Sequence, residues 1–206
     1  MTKNNRLFWD NRFSSEEYIY GKEPNEYLKE QLTNLKPGRI LFAAEGEGRN
    51  AVFAATQSWN VVAFDISEIG RKKALQLAAS MGVYIDYHVT DVTDSDFPLE
   101  SFDALALIYA HFPENTRREY HRKLANFVKK DGFILLEGFS ESHQTQQKEN
   151  PKAGGPKNKE MLYNLEELKE DFKDFEFILF EETTTELNEG DYHVGKANVI
   201  RILAKK

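Results

Sequence analysis

The chain has 206 residues, of which 40% are hydrophobic and 30% are charged, a balance typical of one globular domain with a buried core. The 34 acidic residues outnumber the 27 basic ones, and the formal charge of -7 argues against a general attraction to nucleic acid or to an anionic membrane. The chain contains no cysteine, which excludes disulfides, thiolate zinc sites and a cysteine nucleophile.

The chain begins with a segment rich in aromatic side chains. We predict that residues 1–35 form a helical segment that covers the functional site as a lid, and that residues 38–206 form the core of the same single domain. The alternative is that these aromatic side chains only dock the segment on the core. The sequence shows no signal peptide and no apolar run of about 20 residues, which favours a cytoplasmic protein.

Short apolar runs then alternate with helix-like segments. The runs predicted as strands cover residues 39–44, 60–65, 102–109 and 132–138, with a weaker candidate at 83–89. The segments predicted as helices cover residues 49–57, 67–80, 114–129 and 165–172. Because strand and helix alternate, we expect a mostly parallel sheet with right-handed crossovers.

The last quarter of the chain has a different pattern. Residues 176–184 and 194–205 are predicted as strands that pair antiparallel across the short polar loop 187–191. The predicted fold class is therefore α/β: a Rossmann-like, mostly parallel seven-stranded sheet with helices on both faces and a C-terminal antiparallel hairpin. Residues 140–159 form one long irregular stretch, and a loop of this length is typically functional or disordered. We interpret it as the other half of the cover.

A glycine-containing turn follows the first predicted strand. Its sequence is Ala44-Glu45-Gly46-Glu47-Gly48-Arg49-Asn50. Glycine lets the backbone approach a ligand closely, and the helix that follows offers free N–H groups. Asp65 ends the second strand 19 residues after Gly46, at the edge where open α/β sheets bind ligands. This spacing fits a dinucleotide, S-adenosylmethionine, or simply a tight turn with a capping carboxylate.

Three further features favour S-adenosylmethionine over a nicotinamide cofactor. Glu45 and Glu47 place negative charge in the turn, which repels a pyrophosphate but suits a ligand with an ammonium and a sulfonium. Asp91 follows the third strand, where a carboxylate meets the adenine amino group, although a turn cap is the alternative interpretation. The terminal antiparallel hairpin replaces the second half of a dinucleotide-binding fold.

Four stretches of the sequence form a recognisable set. They are Phe8-Trp9-Asp10-x-Arg12-Phe13 with Tyr20-Gly21-x-Glu23-Pro24-Asn25, then Ala44 to Ala51, then Asp65-Ile66-Ser67, and finally Glu189-Gly190-x-x-His193-x-Gly195. On these, the chain resembles the class I S-adenosylmethionine-dependent methyltransferases over nearly its whole length. More narrowly, it is similar to the tellurite-resistance and thiopurine methyltransferase-like group. The general pattern has an acid late in the first strand and a glycine before the turn, where this chain has Phe42 and Ala44. We expect Glu45 to replace the acid.

The resemblance implies a site for the cofactor S-adenosyl-L-methionine. The residues predicted to bind it are Arg12, Glu45, Gly46, Glu47, Gly48, Asn50, Asp65, Ile66, Ser67, Asp91, Val92 and Tyr109. In this interpretation Asp65 holds the ribose hydroxyls, Ile66 packs on the adenine, and Asp91 and Val92 flank it. Tyr109 lies under the methionine end, and Arg12 reaches the methionine carboxylate from the lid.

The methyl acceptor needs fewer dedicated groups. Methyl transfer is an in-line displacement at an activated sulfonium, so the protein aligns the reactants and excludes water. A base is required only when the acceptor must lose a proton. His111 follows the fourth strand and His193 begins the last one, and both are predicted as catalytic; a helix cap and a satisfied polar residue are the alternatives. The other histidines have no metal-ligand spacing, so no metal site is predicted.

The predicted function is methyl transfer to a small molecule, and the resemblance implies a soft nucleophile such as a thiol or a selenium or tellurium oxyanion. Two alternatives remain open: a nicotinamide-dependent oxidoreductase, and a sensor that binds S-adenosylmethionine without turnover. We expect no nucleic-acid or membrane partner. The sequence does not indicate the oligomeric state.

Overall fold

A computed structural model describes residues 3–206, which form seven strands and seven α-helices. The strands are β1 (Arg39–Ala43), β2 (Asn60–Asp65), β3 (Asp86–Val89), β4 (Phe102–Ile108), β5 (Val128–Phe139), β6 (Glu176–Glu189) and β7 (His193–Lys205). The helices are α1 (Lys3–Arg12), α2 (Glu26–Asn34), α3 (Arg49–Thr56), α4 (Glu68–Ser80), α5 (Glu114–Ala125), α6 (Gln144–Glu149) and α7 (Leu165–Asp171). Residues 1 and 2 of the predicted lid segment lie outside the described residues.

All seven strands join one sheet in the order β3-β2-β1-β4-β5-β7-β6. Strands β1 to β5 pair in parallel, whereas β7 runs antiparallel to both β5 and β6. The predicted α/β class and the antiparallel C-terminal hairpin are confirmed. Chain order reverses between β1 and β4, so the carboxyl ends of these two strands form the crevice where ligands of such sheets bind.

Alternation along each strand fills a separate hydrophobic core on each face of the sheet. In β1, Ile40 and Phe42 pack into the core beneath α2, α3 and α4, while Leu41 and Ala43 pack into the core beneath α5 and α7. Successive side chains of a strand point to opposite faces, so a strand covered on both sides is apolar throughout. This explains why the central strands are continuous apolar runs in the sequence.

Side-chain caps position the helices next to the crevice. Asn25 accepts a hydrogen bond from the N–H of Leu28 and starts α2, and Ser67 accepts one from Gly70 and starts α4. Helix α3 has no such cap of its own, because it starts at Gly48 in the left-handed region at φ 87°. Within residues 3–206, no helix is both long enough and apolar enough to cross a bilayer.

Several predicted boundaries move, each for a local reason. The first and fourth strands end one residue early, because Ala44 and Tyr109 adopt φ values of 54° and 53° and leave the extended conformation. The predicted helix 114–129 ends at Ala125, because Val128 begins the long strand β5. The hairpin strands are longer than predicted, and only residues 190–192 join them.

The stretch predicted as irregular, residues 140–159, is partly regular and packs on the sheet. It contains α6 between two 3₁₀ turns, Glu141–His143 and Lys159–Met161. The Asn150 side-chain amide donates to the Val194 carbonyl at 2.7 Å, and the Val194 N–H donates to Lys152 at 2.9 Å. The stretch is therefore bonded to the start of β7.

Candidate active site

The turn after β1 keeps the backbone of a glycine-rich loop, although one glycine is replaced. Gly46 and Gly48 lie in the left-handed region at φ 62° and 87°, and Ala44 lies there too, at φ 54°. A Cβ on Gly48 would come within 2.4 Å of the Ala74 Cβ, so glycine at this position lets α3 and α4 pack closely. Ala44 thus adopts the conformation that the usual glycine would take more easily.

The two glutamates of the turn have different surroundings. Glu45 Oε1 accepts hydrogen bonds from the N–H groups of Asn50 and Ala51, at 2.9 and 2.7 Å, and so caps the first turn of α3. Its other oxygen, Oε2, makes no hydrogen bond within residues 3–206. Burial raises the pKa of Glu45 to about 7, against the opposing effect of these backbone N–H groups and of Arg49. Glu45 therefore keeps one oxygen for a ligand.

Glu47 instead points toward the N-terminal segment. Its side chain lies 2.5 Å from Lys73 Nζ and accepts a hydrogen bond from the Ile19 N–H at 2.8 Å. Lys73 also donates to the carbonyls of Ser15 and Glu17. The expectation that both glutamates offer negative charge to a ligand is therefore corrected: Lys73 neutralises Glu47, whose role is to fasten residues 15–19 to α4.

Asp65 bridges the ends of β1 and β2. Its Oδ2 accepts from the Gly46 N–H at 3.1 Å, and its Oδ1 accepts from the Ser67 N–H at 2.9 Å. Burial raises the pKa of Asp65 to about 6, although these backbone donors favour the charged form. A carboxylate has about four acceptor positions, so Asp65 keeps capacity for further donors such as ribose hydroxyls.

The two residues after Asp65, Ile66 and Ser67, have different surroundings. Ile66 is partly exposed and lies outside the hydrophobic cores, so its side chain is open to a flat ligand. The Ser67 hydroxyl already has two partners: it caps α4 and donates to Asp10 Oδ1 at 2.6 Å. The predicted contact of Ser67 with a cofactor stays a prediction.

At the end of β3, the two predicted adenine neighbours are placed differently. Asp91 Oδ1 accepts from the Asp94 N–H at 3.1 Å and so caps its own turn, as the alternative interpretation expects. Val92 is 1% exposed and packs into the core beneath α5. The adenine contacts of both residues stay predictions.

The N-terminal segment covers the glycine turn. A Cβ on Gly46 would lie 3.0 Å from Phe13 Cζ, and Trp9 stacks on Phe13 with ring centroids 5.3 Å apart. Asp10 bonds to the start of α4 through Ser67. The Arg12 guanidinium contacts a different element: it lies 4.2 Å from the centroid of the Tyr192 ring.

His111 is fully bonded and is not a free base. Its Nδ1 lies 2.7 Å from the Met161 carbonyl, and its Nε2 accepts from the Phe139 N–H at 3.1 Å. This pattern fixes the neutral tautomer with the proton on Nδ1. Burial lowers the pKa of His111 to about 3. The predicted catalytic role of His111 is corrected to a structural one, since neither nitrogen is open to a substrate.

His193 has the opposite arrangement. Its Nδ1 lies 2.9 Å from Glu189 Oε2, and Arg49 Nη2 donates to the same oxygen at 2.8 Å. The second nitrogen, Nε2, makes no hydrogen bond within residues 3–206. Burial lowers the pKa of His193, despite the neighbouring carboxylate. Burial alone would raise the pKa of Glu189, but Arg49 and His193 outweigh it and hold it at about 2.

Aromatic rings surround the His193 imidazole. The ring centroids of Tyr20, Tyr109 and Phe139 lie 4.6, 4.5 and 5.2 Å from it. Gly154, in the segment bonded to β7, makes room for the imidazole, because a Cβ there would lie 2.4 Å from His193 Cδ2. We call Tyr20, Tyr109, Phe139 and His193 the aromatic wall.

The fold and this geometry can be compared with known proteins. Residues 40–132, which run from β1 into β5, match a family described as a methyltransferase domain. The chain carries a methyltransferase domain of class I architecture. The resemblance stated from the sequence is confirmed at the level of this domain, and a methyltransferase domain supports an enzyme. No significant match is found among curated protein sequences.

Solved structures share the fold at low sequence identity. One, from work on the conversion of a disulfide bond into a thioacetal group during echinomycin biosynthesis, has a TM-score of 0.78 at 16% identity, covering 98% of this chain and 91% of that one. TehB from Haemophilus influenzae has a TM-score of 0.71 at 15% identity, covering 98% and 66%. The Burkholderia thailandensis 1,6-didemethyltoxoflavin-N1-methyltransferase, with its substrate and S-adenosylhomocysteine bound, gives 0.67 at 14% identity, covering 98% and 86%.

The protein also contains a buried polar network that the sequence did not reveal. Glu137 is fully buried, and its Oε1 accepts from the Asn25 amide at 2.6 Å and the Tyr109 hydroxyl at 2.9 Å. Its Oε2 accepts from Arg201 Nε at 2.6 Å. The network holds Tyr109 in the aromatic wall. The signal that could have revealed it is an acid inside the apolar run 133–139, because a buried charge requires partners.

The Asn50 side chain bonds to Asn25, a member of this buried network, rather than to a group in the turn. Its Oδ1 accepts from the Asn25 N–H at 2.9 Å, so it joins the starts of α2 and α3. Among the predicted cofactor residues, the structure therefore brings Glu45, Gly46 and Asp65 together, while the side chains of Asn50, Glu47 and Arg12 face other partners.

Two cavities lie outside the crevice. One, of about 570 Å³, lies between α2 and Arg201; the other, of about 490 Å³, lies between α1 and Tyr192. Within residues 3–206, no group of three or more histidine, aspartate or glutamate side chains is arranged to hold a metal ion.

Proposed function

We propose that this methyltransferase transfers a methyl group from S-adenosylmethionine to a small-molecule acceptor held against His193. The observation that carries the cofactor assignment is the pair Glu45 and Asp65 at the carboxyl ends of β1 and β2. One oxygen of Glu45 is unbonded within residues 3–206, and Asp65 retains acceptor capacity beside Gly46. Acceptors alone suit an ammonium and ribose hydroxyls, whereas a pyrophosphate needs donors.

The residues of the crevice fit S-adenosylmethionine in charge and shape. Glu45 Oε2 would hold the ammonium of the methionine end, Asp65 the ribose hydroxyls, and Ile66 the adenine face. The left-handed backbone at Gly46 keeps side-chain bulk out of the turn, and Phe13 and Trp9 close it from above. When bound, the cofactor supplies an activated methyl group, because the sulfonium sulfur is a leaving group that needs no acid.

On the acceptor side, the chain's own residues align the nucleophile and remove its proton. Tyr20, Tyr109 and Phe139 exclude water around His193. Because burial lowers its pKa, His193 is neutral at pH 7 and its Nε2 can accept a proton from an acceptor such as a thiol. Glu189 orients the ring through Nδ1 and stabilises the imidazolium that forms, and Arg49 holds Glu189 in place.

The arrangement of His193 and two similar solved structures support a proposal for the acceptor class. The Burkholderia enzyme is an N1-methyltransferase of 1,6-didemethyltoxoflavin, and TehB is a tellurite-resistance protein. We propose a soft nucleophile, either a thiol or a selenium or tellurium species. His193 is the base when that nucleophile carries a proton, and it orients the acceptor when it does not.

Binding and turnover test the two halves of this proposal separately. Calorimetry should show that S-adenosylhomocysteine binds and NAD does not. Asp65→Ala should weaken S-adenosylhomocysteine binding by about 1–3 kcal/mol, the range for a lost hydrogen bond to a charged group. Unchanged affinity in this variant would contradict the ribose assignment. Methyl-labelled cofactor with a panel of thiols and selenite then distinguishes an enzyme from a sensor, because a sensor binds without transferring label.

A further inference from the structure

We propose that the cavity between α1 and the β6–β7 turn binds an anionic group of the methyl acceptor, and that Arg12 is the residue that recognises it. The cavity has a volume of about 490 Å³ and is lined by Phe8, Asn11, Arg12, Ser14, Ser15, Ile19 and Tyr192. This inference rests on the proposed function, because it identifies the substrate class of the same site.

Arg12 has the surroundings of a recognition residue. It forms no ion pair with any carboxylate within residues 3–206, although the protein carries a formal charge of -7. Its guanidinium lies 5.8 Å from the Phe8 centroid and 4.2 Å from the Tyr192 centroid. Both rings are exposed, Phe8 at 55% and Tyr192 at 41%. A cation held between two exposed rings suits a ligand with an anionic group and a flat apolar body.

The cavity shares its wall with the candidate active site. Ile19 lines the cavity and its neighbour Tyr20 belongs to the aromatic wall; likewise, Tyr192 lines the cavity and its neighbour His193 belongs to the wall. The Asp191 N–H donates to the Ile19 carbonyl at 3.1 Å, so the two segments are bonded together. Burial raises the pKa of Tyr20, and the charge of Arg12 opposes this rise. Arg12 is therefore close enough to act on a molecule held at the wall.

This placement separates Arg12 from the cofactor. Phe13 lies against Gly46 of the turn, whereas the guanidinium of Arg12 lies over the Tyr192 ring. An anion bound by Arg12 therefore comes from the acceptor rather than from the methionine carboxylate of the cofactor. If Arg12 bound the methionine carboxylate instead, substitution of Arg12 would weaken the binding of S-adenosylhomocysteine.

The binding experiment uses benzoate and its neutral analogue benzamide, titrated by calorimetry into protein saturated with S-adenosylhomocysteine. Benzoate should bind more tightly than benzamide. Arg12→Gln should weaken benzoate binding by about tenfold or more, as expected for a lost charge-assisted hydrogen bond, and Arg12→Lys by less. Arg122→Gln removes the same charge from an exposed position on α5 and should leave benzoate affinity unchanged.

Three results would overturn the inference: benzoate that fails to bind the wild-type protein, benzoate that binds Arg12→Gln as tightly as the wild type, or Arg12→Gln that loses affinity for S-adenosylhomocysteine instead. The last result would assign Arg12 to the methionine carboxylate. If Arg12→Gln does not fold, benzoate affinity is compared between the wild type and Arg12→Lys. This variant keeps the charge but loses the planar guanidinium over Tyr192, so benzoate should bind it less tightly than the wild type.

A turnover experiment separates failure of this inference from failure of the proposed function. The acceptors are 4-(mercaptomethyl)benzoate and its amide, which differ only in charge. A preference for the carboxylate that disappears in Arg12→Gln supports the inference. Transfer to both acceptors without preference overturns it while the methyltransferase function stands. If neither acceptor is methylated but benzoate binding depends on Arg12, the anion site stands and the acceptor chemistry of the proposed function fails.

Discussion

The cofactor side and the acceptor side of the crevice are built in different ways. The cofactor side consists of β1, the turn, α3 and the end of β2, which are consecutive in the chain, and its key contact joins Gly46 to Asp65. The acceptor side is assembled from distant segments: Tyr20 before α2, Tyr109 after β4, and His193 at the start of β7. One side is local in sequence, and the other exists only once the sheet has formed.

This difference has consequences for how each side responds to substitution. On the cofactor side, backbone N–H groups hold the carboxylates, so the geometry comes from the strand–turn–helix itself. On the acceptor side, side chains hold side chains, and Glu189 has Arg49 and His193 as partners on a single oxygen. Single substitutions should therefore be more damaging on the acceptor side.

The two histidines give the sharpest test of this comparison. His193→Gln should lower kcat by about 10²–10⁴-fold with a thiol acceptor, because the open Nε2 is lost. S-adenosylhomocysteine affinity should hardly change, since His193 does not contact the turn. His111→Gln should instead lower the free energy of unfolding by about 1–3 kcal/mol, because the Phe139 N–H and the Met161 carbonyl lose their partner.

Steady-state kinetics and denaturant unfolding of both variants check this pair. If His111→Gln lowered kcat as strongly as His193→Gln while remaining as stable as the wild type, the assignment of the two residues would be reversed. The two substitutions are the same chemical change, made at the buried His193 and at the partly buried His111, so each serves as the control for the other.

The same local and non-local distinction explains what could be predicted from the sequence. The parallel sheet, the hairpin and the glycine turn follow from apolar runs, spacing and strand-end carboxylates, which are local signals. The partner of Glu47 is Lys73, one turn into α4, and no spacing rule predicts that pairing. His111 and His193 look equally plausible in sequence, because the groups that bond His111 come from residues 139 and 161.

Glu189→Gln should give the next largest effect. The side chains of Glu189 and Arg49 are only 10% and 9% exposed, and removing one charge of a buried pair leaves the other uncompensated. We expect the free energy of unfolding to fall by about 3 kcal/mol or more. Glu170→Gln is the matched control: Glu170 is exposed and pairs with Arg122 and Lys173, so its loss should cost less than about 1 kcal/mol.

Denaturant melts of these two variants would decide whether the acceptor side depends on that ion pair. A Glu189→Gln protein as stable as the Glu170→Gln protein would mean that Arg49 finds another partner. In that case the Arg49–Glu189 ion pair, which connects the start of α3 to His193, would not be needed to position the His193 imidazole.

The cofactor side should respond to pH instead. Burial raises the pKa of Glu45 to about 7 and that of Asp65 to about 6. In the ligand-free protein these raised values make both groups oppose folding progressively as pH rises from about 4 to about 7. The ammonium and hydroxyls of S-adenosylhomocysteine favour the charged carboxylates, so binding should release protons in the upper part of that range.

S-adenosylhomocysteine affinity should accordingly rise about tenfold as pH increases from about 5.5 to 7.5, and then level off. Calorimetry in two buffers with different ionisation enthalpies measures the protons released. Glu45→Gln removes the group with the higher pKa and should shift the plateau to lower pH. Proton uptake on binding, or an affinity that falls as pH rises, would contradict the placement of both carboxylates against the ligand.

The smallest expected effect concerns the residue in the turn that departs from the usual pattern. Ala44 has φ 54°, and a left-handed conformation costs an alanine roughly 1–2 kcal/mol. Ala44→Gly removes this strain but gives the unfolded chain more freedom, which offsets part of the gain. We expect a net stabilisation of about 0.5–1 kcal/mol. A destabilised variant would show that packing of the Ala44 methyl group against the neighbouring core outweighs the strain. The alanine would then be a stabilising feature of this cofactor turn.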